Sequence, residues 1–368
     1  MTESITNSRV FKGLAKFGLP RIIIAAFFLL LLFGTAVLDL GVTSALGNCI
    51  SRWGMYGILA LAMVPSVQCG VGLNFGISLG ITTGLLGGLI SIQLDIANNP
   101  ALVAISPTFA VLAAFLAAIL MACFFAAVLG YFYGLLLNQV KGSEMTVTTY
   151  IGFSMIAFMN IMWTVLPFKS GTLIYPNAGR GIRNQVSLDS SYKGAISNIL
   201  KFKIGSMTVS TGLILFFLFM CLIVWLFMRS KTGLAMSAVG ANPMFARAAG
   251  INTNKMRLIG TMLSTVLAAV GIITYSQEYG FFQMYNAPQM MGFISAAAVL
   301  IGGASPKRAT IFNVLLGTFL FQGIMALGLP VANQLFPGTS LSEILRILIS
   351  NGIILYALAQ TKGGGSRE

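Results

Sequence analysis

Ser106-Pro-Thr-Phe-Ala-Val-Leu-Ala-Ala-Phe-Leu-Ala-Ala-Ile-Leu-Met-Ala-Cys-Phe-Phe-Ala-Ala-Val-Leu-Gly-Tyr-Phe-Tyr-Gly-Leu-Leu-Leu137 runs without one charged side chain. About 20 apolar residues in a helix cross the hydrocarbon of a bilayer. This run is longer than that, so it is expected to tilt or to start outside the hydrocarbon. Outward from it, apolar runs recur at about 21–42, 53–70, 74–94, 146–166, 208–228, 257–276, 289–304, 309–328 and 341–360. The expected fold is all-α: a polytopic membrane helix bundle of about ten transmembrane helices. Between the second and third runs stands Cys69-Gly-Val-Gly-Leu73, a break that reads as a tight re-entry or a discontinuous helix.

Composition agrees. Of 368 residues, 57% are hydrophobic and 8% charged, against about 25% charged in soluble domains. So few charges cannot cover a water-facing surface, whereas lipid needs none. The net charge of +14 comes from 22 Lys and Arg against 8 acids. In a soluble chain that excess would point to nucleic acid. Here no basic stripe with interleaved aromatics occurs, so no nucleic-acid partner is expected. The cations flank the apolar runs instead. Arg9, Lys12, Lys16 and Arg21 precede the first, Lys362 and Arg367 follow the last, and Arg229, Lys231, Arg247, Lys255 and Arg257 cluster between the sixth and seventh. Retention of Lys and Arg in the cytoplasm places both ends inside. The expected organisation is a cytoplasmic N-terminus 1–20, a membrane domain 21–361 and a cytoplasmic tail 362–368. The basic stretch 167–207 is the exception, an extracytoplasmic loop. The basic N-terminus resembles a signal peptide, but no clear small-residue cleavage site follows, so a retained first helix is expected.

No histidine is present, and Cys49, Cys69, Cys123 and Cys221 form no CxxC pair. His-based metal sites and Ser-His triads are excluded, and neither a metal site nor catalytic residues are expected. No GxxxxGK[ST] loop occurs, so ATP hydrolysis by this chain alone is not expected. Many of the 41 glycines, such as Gly84, Gly87, Gly88, Gly302 and Gly303, are read as packing residues.

Residues 232–255 form a cytoplasmic loop that is not a plain polar connector. Asn242 can cap a short helix with Pro243 at its first position, and Gly250 can end it. Phe245, Ala248 and Ala249 then share one face. From the residues alone this is either a connector packed on its own bundle or a docking element.

The stretch Gly233-Leu-Ala-Met-Ser-Ala-Val-Gly-Ala-Asn-Pro-Met-Phe-Ala-Arg-Ala-Ala-Gly-Ile251 resembles the cytoplasmic coupling loop of permease subunits of bacterial ABC importers. The branch is the one serving ribose and other simple sugars, nucleosides and branched-chain amino acids. Ala296-Ala-Ala-Val-Leu-Ile-Gly-Gly-Ala304 is similar to that branch's Ala-rich run, and Gly130-Tyr-Phe-Tyr-Gly134 with Thr146-Val-Thr-Thr149 to its Gly-x-x-x-Gly and Thr-rich stretch. The resemblance covers about 50–360. It departs at Cys69-Gly-Val-Gly-Leu-Asn-Phe-Gly76, where sugar permeases carry an aspartate and this chain has Gly72 and Asn74. The resemblance implies a multi-pass protein of the bacterial inner membrane. It would form the path for a small polar solute, a monosaccharide in the first reading and a nucleoside or branched-chain amino acid in the alternative. It also implies a separate ABC ATPase that uses ATP and Mg, a second permease chain, identical or related, and an extracytoplasmic binding protein. Gly240, Asn242, Pro243, Phe245, Ala248, Ala249 and Gly250 are the candidate coupling residues.

Polar groups inside a membrane are costly and carry a functional expectation. Gln68, Asn74, Asn160, Trp163, Glu278, Gln283, Tyr285 and Asn286 are therefore candidates for the translocation path, each with helix–helix hydrogen bonding or an interfacial loop as the plainer reading. Two other classes compete. An ion-coupled secondary transporter would use intramembrane acids, but Asp39, Asp95 and Glu144 fall at span ends. A membrane-embedded enzyme would need a nucleophile–base pair, and none is evident.

Overall fold

In the computed structural model the described residues are 19–168, 173, 184–205 and 207–335, with 344, 347, 351 and 352. The first three helices are α1 (Leu19–Val37), α2 (Val42–Leu61) and α3 (Met63–Gln68), the last two separated only by Ala62. Next come α4 (Ile77–Gln93), α5 (Pro100–Ile105), α6 (Pro107–Gln139) and α7 (Glu144–Val165). The strands β1 (Gln185–Ser187), β2 (Lys201–Ile204) and β3 (Met207–Ser210) precede α8 (Thr211–Arg229), α9 (Lys231–Ala241), α10 (Pro243–Ala248) and α11 (Thr253–Tyr279). A strand β4 (Phe281–Gln283), α12 (Asn286–Ile301) and α13 (Ile311–Leu335) follow.

Seven helical stretches among the described residues are long and apolar enough to cross a membrane, and two shorter apolar helices, Arg21–Val37 and Asn286–Ile301, join them. These nine correspond to the first nine expected spans. The tenth, 341–360, and the tail 362–368 lie outside the described residues, apart from isolated positions in the former. The second span differs from expectation. It begins at Val42, not near 53, because Asn48 and Arg52 ride on the helix with Arg52 exposed. The apolar count missed a polar first half that a helix end outside the hydrocarbon tolerates.

The centre is α4, α6 and α11. A Cβ added at Gly80 of α4 would lie 2.3 Å from the Thr265 carbonyl oxygen, and one at Gly87 would lie 2.4 Å from the Ala122 nitrogen. Backbones meet there because nothing stands between them, as small residues permit in lipid. The expected packing role of Gly302 and Gly303 is also found. Asn313 donates to the Gly302 carbonyl at 2.7 Å and Arg21 to that of Gly303 at 3.0 Å, tying α1, α12 and α13 together.

The loop after α7 is tied to the bundle by short sheets. β1 pairs antiparallel with β4, Gln185 opposite Gln283, and β2 with β3, Lys201 opposite Ser210. Of its expected cations, Lys193 pairs with Asp189 and Lys201 and Lys203 are exposed. Lys169, Arg180 and Arg183 lie outside the described residues.

Candidate functional site

Two regions carry the sequence's functional candidates. The first is the loop 232–255. Ser230 caps α9 by accepting from the Gly233 N–H at 3.3 Å. Asn242 caps α10: its Oδ1 accepts from the Met244 and Phe245 N–H groups, each at 3.0 Å, with Pro243 at the first position. Gly250 ends the element at φ 78°, a left-handed conformation that glycine adopts without strain. The Ile251 N–H then returns to the Ala246 carbonyl at 2.9 Å, as in a Schellman close. Within α10 only Ala246 is buried. Met244 is 81% exposed and Phe245 69%, and Ala248 and Ala249 are exposed beside them. These four side chains form an uncovered apolar face on a capped helix.

Gly240, at the end of α9, links this loop to the membrane core. A Cβ there would stand 2.3 Å from the Gln68 carbonyl oxygen and 3.2 Å from the Gly70 nitrogen. The end of α9 thus lies directly on the end of α3, where the glycine break begins. Gln68 is fixed from the other side by donating its Nε2 to the Ala309 carbonyl. The break itself is non-helical from 69 to 76, with Gly70 at φ 80° and Gly72 at φ 88°. Non-helical backbone at membrane depth is buried in protein or lines a cavity; Cys69, Val71, Leu73 and Asn74 are buried, and Gly70 is exposed.

Asn74 closes that enclosure. Its Nδ2 donates to Ser264 Oγ on α11 at 3.0 Å, and its Oδ1 accepts from the Tyr133 hydroxyl on α6 at 2.6 Å. It is fully buried. The plainer reading, a helix–helix hydrogen bond, fits this residue. The remaining path candidates do not converge. Trp163 is packed in the core and Asn160 is half-buried. Glu278 accepts from Ser210 Oγ at 3.2 Å near the C-terminal end of α11. Gln283 stands in the β1–β4 ladder, Tyr285 is half-buried and Asn286 is exposed at the start of α12. Glu144 pairs with Arg257 at 2.6 Å, both largely shielded, and also accepts from the Gly142 N–H at 2.9 Å.

A groove that sequence reasoning missed lies where the start of α4, α7 and α12 meet. It is a narrow cleft lined by Phe75, Ser78, Thr149, Gly152, Phe153, Gln289, Gly292 and Phe293. Phe293 lies 5.4 Å from Phe75 and 6.2 Å from Phe153 by ring centroids. In the sequence these phenylalanines look like any lipid-facing aromatic.

A family model described as the permease component of the branched-chain amino acid transport system matches residues 45–356. The chain is similar to a nucleoside ABC transporter permease of Lactococcus lactis subsp. cremoris, at 24% identity over 238 residues, covering 64% of this chain and 60% of that protein. It is similar to a guanosine ABC transporter permease of Bacillus subtilis, at 33% identity over 109 residues, 30% of this chain and 32% of that one. A fructose import permease of Rhizobium meliloti is 28% identical over 207 residues, 55% and 52% of the two chains. The matched stretches span about three fifths or less of these relatives' lengths. No solved structure matches. With the family model covering most of the chain and the apolar helices in place, this multi-pass protein of the bacterial inner membrane belongs to the permease-component family of the branched-chain amino acid transport system.

Proposed function

We propose that this chain is the membrane-spanning subunit of an ABC importer and forms the translocation path for a small polar solute. The observation that carries the reading is the exposed apolar face of α10, braced through Gly240 on the break that precedes α4. A separate ATPase, holding ATP and Mg, docks on Met244, Phe245, Ala248 and Ala249. Its movement reaches the membrane core through backbone contact, which has no flexible side chain to absorb it. A second permease chain covers the exposed face of α7, and an extracytoplasmic binding protein delivers the solute. A monosaccharide and a nucleoside share this reading, since relatives named for nucleosides and for fructose are both similar to the chain. An ion-coupled transporter finds less support: Asp39 and Asp95 lie in turns, and Glu144 is engaged by Arg257.

The test is co-purification of a co-expressed ABC ATPase with wild-type and Ala249→Glu permease, with permease abundance measured in the same membranes. Docking requires that the ATPase be recovered with the wild type and lost from the variant while the permease stays in the membrane. Full recovery with the variant, and normal uptake, would make α10 a mere connector.

A further inference from the structure

We infer that the buried pair Glu144–Arg257 links the docking helix α10 to the start of α7, so that these two are positioning residues for ATP-driven transport. This rests on the importer reading and adds a route to it, distinct from the seating of Gly240 on Gln68.

The span that the pair holds is the loosest one. Of the seven long spans α7 is the least covered: 22% of its apolar window is buried, against 72% in α11. Its neighbour α6 is clamped on α11 by close approach. A Cβ at Gly130 would lie 3.1 Å from the Met262 Cα, and one at Gly134 3.2 Å from the Leu258 Cα. The hold on α7 is instead at its first residue. Glu144 Oε1 accepts from Arg257 on α11 at 2.6 Å, and its Oε2 accepts from the Gly142 N–H at 2.9 Å, which fixes the turn between α6 and α7. Arg257 also donates to the Leu137 carbonyl on α6 at 3.3 Å.

The same arginine is within reach of α10. Thr253, one turn before Arg257, accepts from Arg247 Nε of α10 at 3.3 Å. At the other end of α10, Pro243 shares with Glu144 and Met145 a cavity of about 480 Å³ that Gly72, Gly240 and Lys307 also line. The start of α7 thus meets both ends of α10, through bonded side chains at one and across free space at the other. That space gives the start of α7 room to move.

Charge makes the link specific. Glu144 is the only acid at this end of the bundle among the described residues, beside Lys141, Arg247, Lys255, Lys307 and Arg308. The side chains of the pair are only 11% and 14% exposed, and Arg257 Nε is buried without a hydrogen-bond partner among the described residues. Taking two charges out of water is costly, and replacing such a pair by apolar residues of similar volume is often neutral or stabilising. Stability alone therefore gives no reason for a pair here. Holding one register between two elements does.

The test uses the permease assembled with a co-expressed ABC ATPase in proteoliposomes. Thr146→Cys, at an exposed position in the first turn of α7, is the reporter. Its reaction with a water-soluble maleimide is timed without nucleotide and with ATP and vanadate, and ATP hydrolysis is measured alongside. The reporter alone changes its labelling rate with nucleotide. Adding Glu144→Gln leaves ATPase recovery and hydrolysis in place, and the nucleotide-dependent change shrinks roughly twofold to thirtyfold, the range expected of residues that carry coupling. Because Glu144→Gln strands the buried Arg257, Glu144→Leu with Arg257→Met removes both charges at once. That double variant keeps full abundance and thermal stability and shows the same loss of response. Exchange of the pair, Glu144→Arg with Arg257→Glu, restores the response. A double variant with the wild-type response overturns the inference, as does a reporter that never responds to nucleotide. Loss of both variants from the membrane also overturns it and makes the pair structural. Hydrolysis lost together with the response overturns it too, by placing the pair in the ATPase contact itself. Wild-type permease that recovers no ATPase brings down the importer reading and this one with it.

Discussion

The helix α4 follows the non-helical break 69–76 and α10 follows the single capping residue Asn242, and the apolar side chains of the two meet opposite fates. Within the apolar window of the span Ile77–Asn98, which contains α4, 78% of residues are buried by the chain's own neighbours. In α10 only Ala246 is buried. The difference lies in the residues that permit approach. Gly80, Gly84, Gly87 and Gly88 let α6, α11 and nearby side chains come against α4 at distances no Cβ would allow. The helix α10 has no glycine inside it, and Phe245 and Met244 stand outward. Apolar composition therefore states that a surface will be covered, and glycine placement decides whether the chain can cover it itself.

The sharpest break of that comparison is Gly80→Leu. The new side chain would collide with the Thr265 carbonyl, which is backbone and cannot rotate away. Overpacking typically costs about 1–3 kcal/mol and more where the neighbour cannot move. The expected outcome is a permease missing from the membrane fraction, and a variant present at wild-type abundance would show that α4 is not clamped. The counterpart on the open helix is Ala249→Glu. It leaves abundance unchanged and weakens ATPase recovery, since an unpaired charge in a packed interface costs about 3–5 kcal/mol.

Below both lies Asn74→Ala. It strands the Tyr133 hydroxyl and Ser264, and each hydrogen bond between membrane helices is worth about 0.6–2 kcal/mol. Thermal unfolding in detergent should fall measurably with the fold retained. An unchanged transition, with altered solute affinity, would return Asn74 to the translocation path. The smallest effect belongs to Asn242→Ala, where loss of the cap costs about 1 kcal/mol and loosens α10 alone. Partial loss of ATPase recovery, well short of that in Ala249→Glu, is the expected reading. Orientation has its own check: a cysteine at Gln185 should react with an impermeant maleimide from outside and one at Asn254 only from inside.

Much of this was legible in the chain. The caps were, because a cap depends on residues a few positions apart: Asn242, Pro243 and Gly250 took the roles their order implied. The nine described spans were too, except where Arg52 and Asn48 hid the first half of α2. The partners of the path candidates were not legible: the sequence does not show that Asn74 meets Ser264 and Tyr133, or Glu278 Ser210. Polarity does not tell a residue that faces a solute from one that faces another helix.

Hydropathy and capping act within a turn or along one span, so the sequence by itself determined a helical membrane protein and a capped short helix at Pro243–Ala248. The pairing of Asn74 with Ser264, the seating of Gly240 on Gln68 and the meeting of Phe75, Phe153 and Phe293 join residues far apart in the chain. Those contacts exist only because α4, α6 and α11 pack backbone to backbone, and that packing was the tertiary structure's decision.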